Sequence, residues 1–527
     1  MTDYNRFYWF ITNARKGLAR GIATFYKRHT LWAVLVTLVL VYAIFVGRST
    51  YQPLVVGMRK YALLVALLIG VYWWWFRLIR SRSFKSAALP TILFVVFLVL
   101  LRFVGPPVHK YCSLYFQYRV LNKTEISGFG ETDFERIQPL KSIKTLVNQE
   151  ALSETEDATS PRFIRGKDGR YYFSTAVGPS KEYKLQQLRK NMYEVIYVPA
   201  NLPSPVFSKK YREVVNFDVG EMLLFSKRTQ NAVIRNFGIW HFLHSEPTAP
   251  IYLQDDKGKW QQVVPIIRWK GWIFPRPEFC GVTVISEVAG DDTWWERVLF
   301  GRGKYIPIEQ IPDHAYLLGQ NLIPRDVADY VAESFRFTKG FFAPMPGYHE
   351  GDIRIPYEKN DQASQPFIAY FKNDKGGKIY NYYGLEPYQE DKKALSLSVL
   401  IPGDDASEVF YIDHRNGQSS YIGSSAIESK IIESRKNYDW SENYPAESRP
   451  FIRVVDGKVR FFWLSTIVTR AGDSGGEYIG GSIPEITLTD AIYGKVVWIN
   501  PDSLTNTDAW LRQAKGELVD FWSDEGG

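Results

Sequence analysis

Residues 450–463 read PFIRVVDGKVRFFW. A proline opens an apolar run, Asp456-Gly457 interrupts it, and a basic and aromatic run follows. Asp-Gly between two such runs is a hairpin signal, because glycine takes the positive φ that a tight turn requires. The pattern occurs three more times: PRFIRGKDGRYYF at 161–173, PIYLQDDKGKWQQVV at 250–264 and PFIAYFKNDKGGKIYNYY at 366–383. Asp168-Gly169, Lys257-Gly258 and Gly376-Gly377 take the turn positions. The four prolines are 89, 116 and 84 residues apart, a domain-sized spacing rather than a solenoid repeat.

The last two copies match over a longer stretch. Each hairpin follows a helical segment: RDVADYVAESFRF, with Val327, Tyr330, Val331 and Phe335 on one face, and AIESKIIESRKNY, with Ile427, Ile431 and Ile432 on one face. Each then ends in a strand, a turn and a strand, VFYIDHRNGQSSY at 409–421 and ITLTDAIYGKVVWIN at 486–500, with Asn416-Gly417 and Tyr493-Gly494 at the turns. Helix, hairpin, loop, hairpin describes a small antiparallel sheet with a helix across one face, an α+β unit. This order resembles PepSY-like and cystatin-like modules, and FYIDHRNGQ at 410–418 looks like the V-D-x-x-T-G-x-V strand pair of PepSY modules. Neither copy has the threonine before the glycine. The resemblance covers about 180 residues well and about as many again loosely. It implies a binding or scaffolding role, often linked to peptidase inhibition or to extracytoplasmic membrane proteins, and carries over no catalytic residue.

The N-terminal part is of another kind. Residues 1–110 hold 15 Lys/Arg and one acid, Asp3, whereas the remaining 417 hold 49 basic and 55 acidic residues. The overall net charge of +8 therefore resides in the N-terminal segment. Nucleic-acid binding would place basic charge on the folded part, so it is excluded as a function class. Three apolar runs, LWAVLVTLVLVYAIFV at 31–46, YALLVALLIGVYWWWF at 61–76 and AALPTILFVVFLVLL at 87–101, are near the ~17–25 residues that cross a bilayer. Trp73, Trp74 and Trp75 suit an interfacial belt. Ten basic residues lie before the first run or between the second and third, against three (Arg48, Arg59 and Lys60) between the first and second. The positive-inside rule then puts the N-terminus in the cytoplasm and residues from about 106 onward outside. Phe7, Ile11, Ala14, Leu18, Ile22 and Phe25 form the apolar stripe of an amphipathic helix suited to the inner membrane interface. No cleavable signal peptide is evident. The two cysteines, Cys112 and Cys280, leave both a disulfide and two structural thiols open. The sequon Asn122-Lys123-Thr124 matters only in a eukaryote.

Gly472–Gly476 read GDSGG, the string around the nucleophile of trypsin-like proteases. A serine nucleophile needs an oriented base, and none of the seven histidines has the expected context. Glu477 also stands where those proteases have proline. The equivalent stretch of the preceding copy, IPGDDAS, is a small acidic connection between strands, so GDSGG reads as a loop whose residues serve turn geometry. His241 and His244 are spaced to share a helix face but lack a third ligand. Asp404, Asp405 and Glu408 lack calcium-loop spacing, and Asp255-Asp256 and Asp291-Asp292 read likewise as turns. Trp294, Trp295, Val298, Leu299 and Phe300 form an amphipathic aromatic patch that reads as packing within the core or between modules ahead of a partner surface.

The expected protein is a membrane-anchored α+β chain: three N-terminal transmembrane helices followed by tandem antiparallel-sheet-plus-helix modules. Residues 1–30 form the cytoplasmic interfacial helix, 31–105 the three spans, 106–215 and 216–323 the first two modules. Residues 324–423 and 424–527 form the PepSY-like third and fourth modules, the last with a C-terminal tail. The expected function is non-enzymatic, a scaffold or binding protein that meets membrane lipid and assembles with itself or an envelope partner. No catalytic, cofactor-binding or metal residue is assigned and no cofactor is expected. The rival readings are an extracytoplasmic regulator of a peptidase and a subunit of an oligomeric channel or conduit.

Overall fold

In a computed structural model, residues 30–80, 84–148, 152–201, 211–288, 294–356, 365–373, 376–415, 420–455, 458–469, 483 and 485–499 are described. The amphipathic segment before residue 30, GDSGG, Asp291-Asp292, Asn416-Gly417 and Asp456-Gly457 lie outside them.

Among the described residues five helices come first: α1 (Thr30–Val46), α2 (Arg48–Lys60), α3 (Ala62–Arg80), α4 (Phe84–Phe103) and α5 (Gly105–Val120). The three apolar runs form α1, α3 and α4, of 17, 19 and 20 residues. At about 1.5 Å per residue that is roughly 25–30 Å. Among the described residues no single helix is long and apolar enough to cross a membrane; residues 34–46 with 48–60, bent by 70°, and 89–103 with 105–120, bent by 45°, pass only as pairs. The stretch between the first two apolar runs is an amphipathic helix, α2, with Arg48, Ser49, Gln52 and Val56 buried.

Two short strands, β1 (Asn122–Glu125) and β2 (Thr132–Asp133), precede α6 (Leu140–Leu146). The first sheet contains β3 (Glu156–Ala158), β4 (Arg162–Arg165), β5 (Tyr171–Pro179), β6 (Met192–Pro199) and β7 (Arg212–Phe217), with α7 (Lys184–Arg189) between β5 and β6. After α8 (Thr229–Asn236) and α9 (Ile239–His244), the second sheet contains β8 (Ser245–Pro247), β9 (Ile251–Gln254), β10 (Trp260–Lys270) and β11 (Arg276–Ser286). α10 (Trp294–Phe300) leads into its last strand, β12 (Lys304–Pro307).

Helix α11 (Arg325–Ser334) is followed by β13 (Ile353–Arg354), β14 (Phe367–Asn373), β15 (Gly376–Pro387), β16 (Leu397–Pro402) and β17 (Glu408–Asp413). Helix α12 (Ser424–Ser434) is followed by β18 (Asn443–Val455), β19 (Lys458–Thr469), β20 (Glu485–Asp490) and β21 (Val496–Ile499). The third sheet runs β1-β17-β16-β15-β14-β2 with β13 also on β15, and the fourth runs β18-β19-β20-β21. The protein is thus a mixed α+β structure with several antiparallel sheets.

Each repeated stretch is an antiparallel hairpin: β4–β5, β9–β10, β14–β15 and β18–β19. Gly169 (φ 77°) and Gly258 (φ 86°) take the left-handed conformation that their turns require. In the third copy Gly376 pairs with Asn373 and Gly377 with Lys372, so both glycines belong to β15. Val327 and Val331 of α11, Phe335 just past its end, and Ile427 and Ile431 of α12 are buried as their spacing predicts, while Tyr330 and Ile432 are half-buried. Residues 416–419 lie outside the described ones, and after them Ile422 makes an isolated bridge with Ala394.

The segment after α5 does not stay with the first sheet. β1 pairs in parallel with β17, and β2 pairs with β14 at Tyr370 and Phe371, so residues 122–133 supply both edge strands of the third sheet. Both edge strands are short, which limits the unpaired backbone they offer to other strands. One apolar core contains residues of the first three sheets, and a second joins α12 and the third and fourth. Contacts thus cross between the units, which are packed on one another.

Candidate functional site

Two places bring distant elements together: a collar where α2 and α5 meet the sheets, and a cleft where the four sheet units meet.

The collar is built on α2. Arg48 Nη2 donates to the carbonyls of Arg235 and Leu299, both at 2.5 Å. Gln52 Nε2 donates to the carbonyls of Phe242 (3.1 Å) and Ser245 (2.6 Å). Arg59 donates to the Gly271 carbonyl and stacks over Trp272, and Lys60 pairs with Glu246 at 2.8 Å. On α5, His109 Nε2 donates to the Ile273 carbonyl (3.1 Å), and Ser113 Oγ donates to that of Pro275 (2.6 Å). The three basic residues of the first inter-helix connection are therefore all engaged by protein groups. Arginine suits such work because its planar fork can serve two carbonyls at once. The connection 48–60, read from the sequence as a loop, is a helix whose buried face carries Arg48, Ser49 and Gln52 in place of an apolar stripe.

The cleft has a volume of about 540 Å³ and is lined by residues from all four units, among them Arg136, Arg162, Thr248, Arg325, Ile368 and Glu447. A bulge between Ala446 and Arg449 shapes one wall. Such a bulge re-aims a side chain, and here Glu447 (φ 47°) turns toward the 136–140 segment. Its carboxylate accepts from Arg136 (2.6 Å), Arg449 (3.3 Å) and the Leu140 amide (2.9 Å). Burial, with the neighbouring Arg136 charge, lowers the Arg449 pKa to about 9 despite Glu447. Arg162 Nε is buried without a hydrogen-bond partner, whereas Arg325 donates to the Gln365 carbonyl (2.8 Å). A concave surface of mixed apolar and charged character, with Asp326 and Glu447 beside its arginines, can hold an extended group.

The residues marked by their sequence context do not converge. His241 lies 3.2 Å from the Ser245 hydroxyl and packs on Tyr305, while His244 turns back to the Trp240 carbonyl. Asp405 accepts from the Ser407 amide, Glu408 from the Thr124 hydroxyl, and Asp404 faces Lys378. Asp255 caps the β9–β10 turn through the Lys257 and Lys259 amides. Among the described residues no group of three or more His, Cys, Asp or Glu could hold a metal ion. Cys112 and Cys280 are free thiols. Trp294, Trp295 and Phe300, expected inside the core or between modules, are exposed instead. The reason is that Arg297, on the same short helix, turns inward to pair with buried Asp218 at 3.0 Å.

One arrangement escaped the sequence. His414 Nε2 lies 2.9 Å from Ser398 Oγ, and the Tyr382 hydroxyl lies 2.9 Å from the same oxygen. This is the spacing of a base and a nucleophile, but Ser398 and Tyr382 have no exposed surface. Burial lowers the His414 pKa to about 4, so its ring is neutral and satisfies the Ser398 hydroxyl inside the sheet. The three residues come from β15, β16 and the end of β17, which neighbour only through strand pairing. Near the surface, His349 pairs with Asp352 (2.9 Å), which also takes two bonds from Arg336.

The chain matches no known protein-family model, and no curated protein matches it.

Proposed function

We propose that the chain is a membrane-anchored, non-enzymatic scaffold or binding protein whose sheets stand outside the membrane and assemble with themselves or with an envelope partner. In this reading α1, α3 and α4 cross the bilayer, the N-terminus is cytoplasmic and residues from about 106 onward are extracytoplasmic.

The observation that carries it is the clamp of α2 onto the second sheet unit. A three-span topology requires the first connection and the chain after the third span to emerge on one side. A Cβ placed on Gly105 would lie 3.4 Å from Leu64, so the end of α4 meets the start of α3. α2 and α5 both grip the 271–275 loop. The ten-to-three distribution of basic residues favours the same orientation. The helices also expose apolar surface widely, for instance at Leu38, Val39, Ile69, Leu89 and Ile92, and such surface needs a cover.

The test is thiol labelling of intact cells with an impermeant reagent. In a Cys112→Ala background, which removes the half-exposed native thiol, Val454→Cys should react directly and Arg15→Cys only after permeabilisation; the reverse pattern overturns the orientation. The mass of the gently solubilised complex then separates self-assembly from a hetero-complex. A second reading, regulation of an envelope peptidase, is favoured by the helix followed by a four-strand meander in α12 and β18–β21, the order of the PepSY-like resemblance. Co-purification of a peptidase would support it.

A further inference from the structure

We propose that the foot of the second sheet unit enters the outer lipid interface, with Trp240, Trp272, Ile273, Trp294, Trp295 and Phe300 as the inserting side chains. This rests on the membrane reading above and adds lipid contacts to the extracytoplasmic part itself.

These six side chains are each between 50% and 73% exposed. They come from three separate segments. Trp240 is on α9, which packs on α2 through the Phe242–Tyr51 ring contact. Trp272 and Ile273 are in the β10–β11 connection, held by Arg59 and His109. Trp294, Trp295 and Phe300 are on α10, whose Leu299 carbonyl accepts from Arg48 just past the end of α1. The His109 ring in turn lies tilted against Tyr61, just before α3. All three segments thus touch the chain where it leaves the apolar helices, at the level where a bilayer surface would lie.

The residue types fit that level. Tryptophan joins a large apolar body to one N–H donor and concentrates at the membrane–water boundary. Dispersed exposed apolar residues need no explanation, but six drawn from three segments that meet the same helices do. The nearby cations do not select an anionic headgroup: Arg268 and Lys270 both pair with Glu278, and Lys60 pairs with Glu246. The chemistry recognised is therefore the glycerol and upper acyl region, with little dependence on lipid charge. The same helices would be fixed at one depth by α2 below and this foot above.

The experiment uses the full chain in phospholipid nanodiscs, with Cys112→Ala to remove the accessible thiol. Spin labels are placed singly at Trp240→Cys, Trp272→Cys and Trp294→Cys, with Leu68→Cys on α3 and Tyr493→Cys on the fourth sheet as references. Collision with oxygen and with a water-soluble nickel chelate reports depth. The expected result places the three foot positions between the two references, in zwitterionic and anionic nanodiscs alike. If position 68 is deep but the foot labels are as wet as 493, the foot proposal is overturned and the anchor stands. If the foot labels are shielded from both reagents, protein covers them, a second copy or another chain, and the proposal is again overturned. If position 68 is itself wet, the anchor reading fails and the foot with it. Since each label replaces a tryptophan, quenching of the native fluorescence by lipids brominated on the upper acyl chain is measured in parallel. Combined Trp272→Ser, Trp294→Ser and Trp295→Ser should reduce that quenching; no reduction overturns the assignment.

Discussion

The side-chain amide of Gln52 donates to the carbonyl of Ser245 at 2.6 Å, joining residues 193 apart in the chain. The same nitrogen donates to the Phe242 carbonyl, and Gln52 is almost fully buried. Gln52→Ala removes both bonds and leaves two carbonyls unpaired near the junction. A loss of about 1–3 kcal/mol is expected. Hydrogen exchange in detergent should accelerate in 48–60 and 239–246 together, while exchange in the fourth sheet stays unchanged. Acceleration in one segment alone would show that they do not open as a unit.

Glu135 and Arg453 form a buried pair at 2.6 Å, and Arg453 also donates to the carbonyls of Thr132 and Ile452. Glu135→Ala leaves a buried guanidinium without its counter-charge and should cost about 3–5 kcal/mol. The double variant Glu135→Ala with Arg453→Met should recover part of that loss. Chemical denaturation midpoints compare the three proteins.

His414 links stability to pH. Burial lowers its pKa from 6.5 to about 4, so the unfolded chain binds a proton that the folded chain refuses. Its contribution is fully present above pH 6.5, falls as pH drops through the interval between these values, and is lost below about 4. The full difference is about 3 kcal/mol. Melting temperatures from pH 7.5 to 4.5 should fall less steeply for His414→Gln than for the native protein. Identical slopes would assign the acid sensitivity to other groups.

Trp463 sits in the core shared by the third and fourth sheets, and its indole N–H donates to the Ile422 carbonyl at 2.8 Å. Trp463→Ala should cost about 3–5 kcal/mol. Val454→Ala, on a half-exposed position of the same hairpin, should stay within about 0.5 kcal/mol. Thermal unfolding of the two variants side by side distinguishes core packing from a general effect on the hairpin.

Much of the architecture was legible before any coordinates. The hairpins followed from turn residues between apolar runs, and α11 and α12 from apolar spacing, because these signals act within a few residues. The candidate sites were not legible. The cleft draws on residues from Arg136 to Glu447, and the collar on residues from Arg48 to Leu299. Nothing local marks Ser398 and His414 as neighbours, since their contact depends on the register in which Leu400 meets Phe410. Trp294 and Trp295 were misplaced because an apolar pattern does not say whether protein or another phase covers it.

By itself the sequence determined the charge division, the apolar runs and the four hairpins, since each depends on composition or on short-range backbone geometry. Tertiary structure alone decided that residues 122–133 supply the edge strands of the third sheet, that α2 clamps the second sheet unit, and that an aromatic cluster is left uncovered beside it. These depend on which surfaces meet after the local elements have formed, and pairing across hundreds of residues leaves no periodicity in the chain to read.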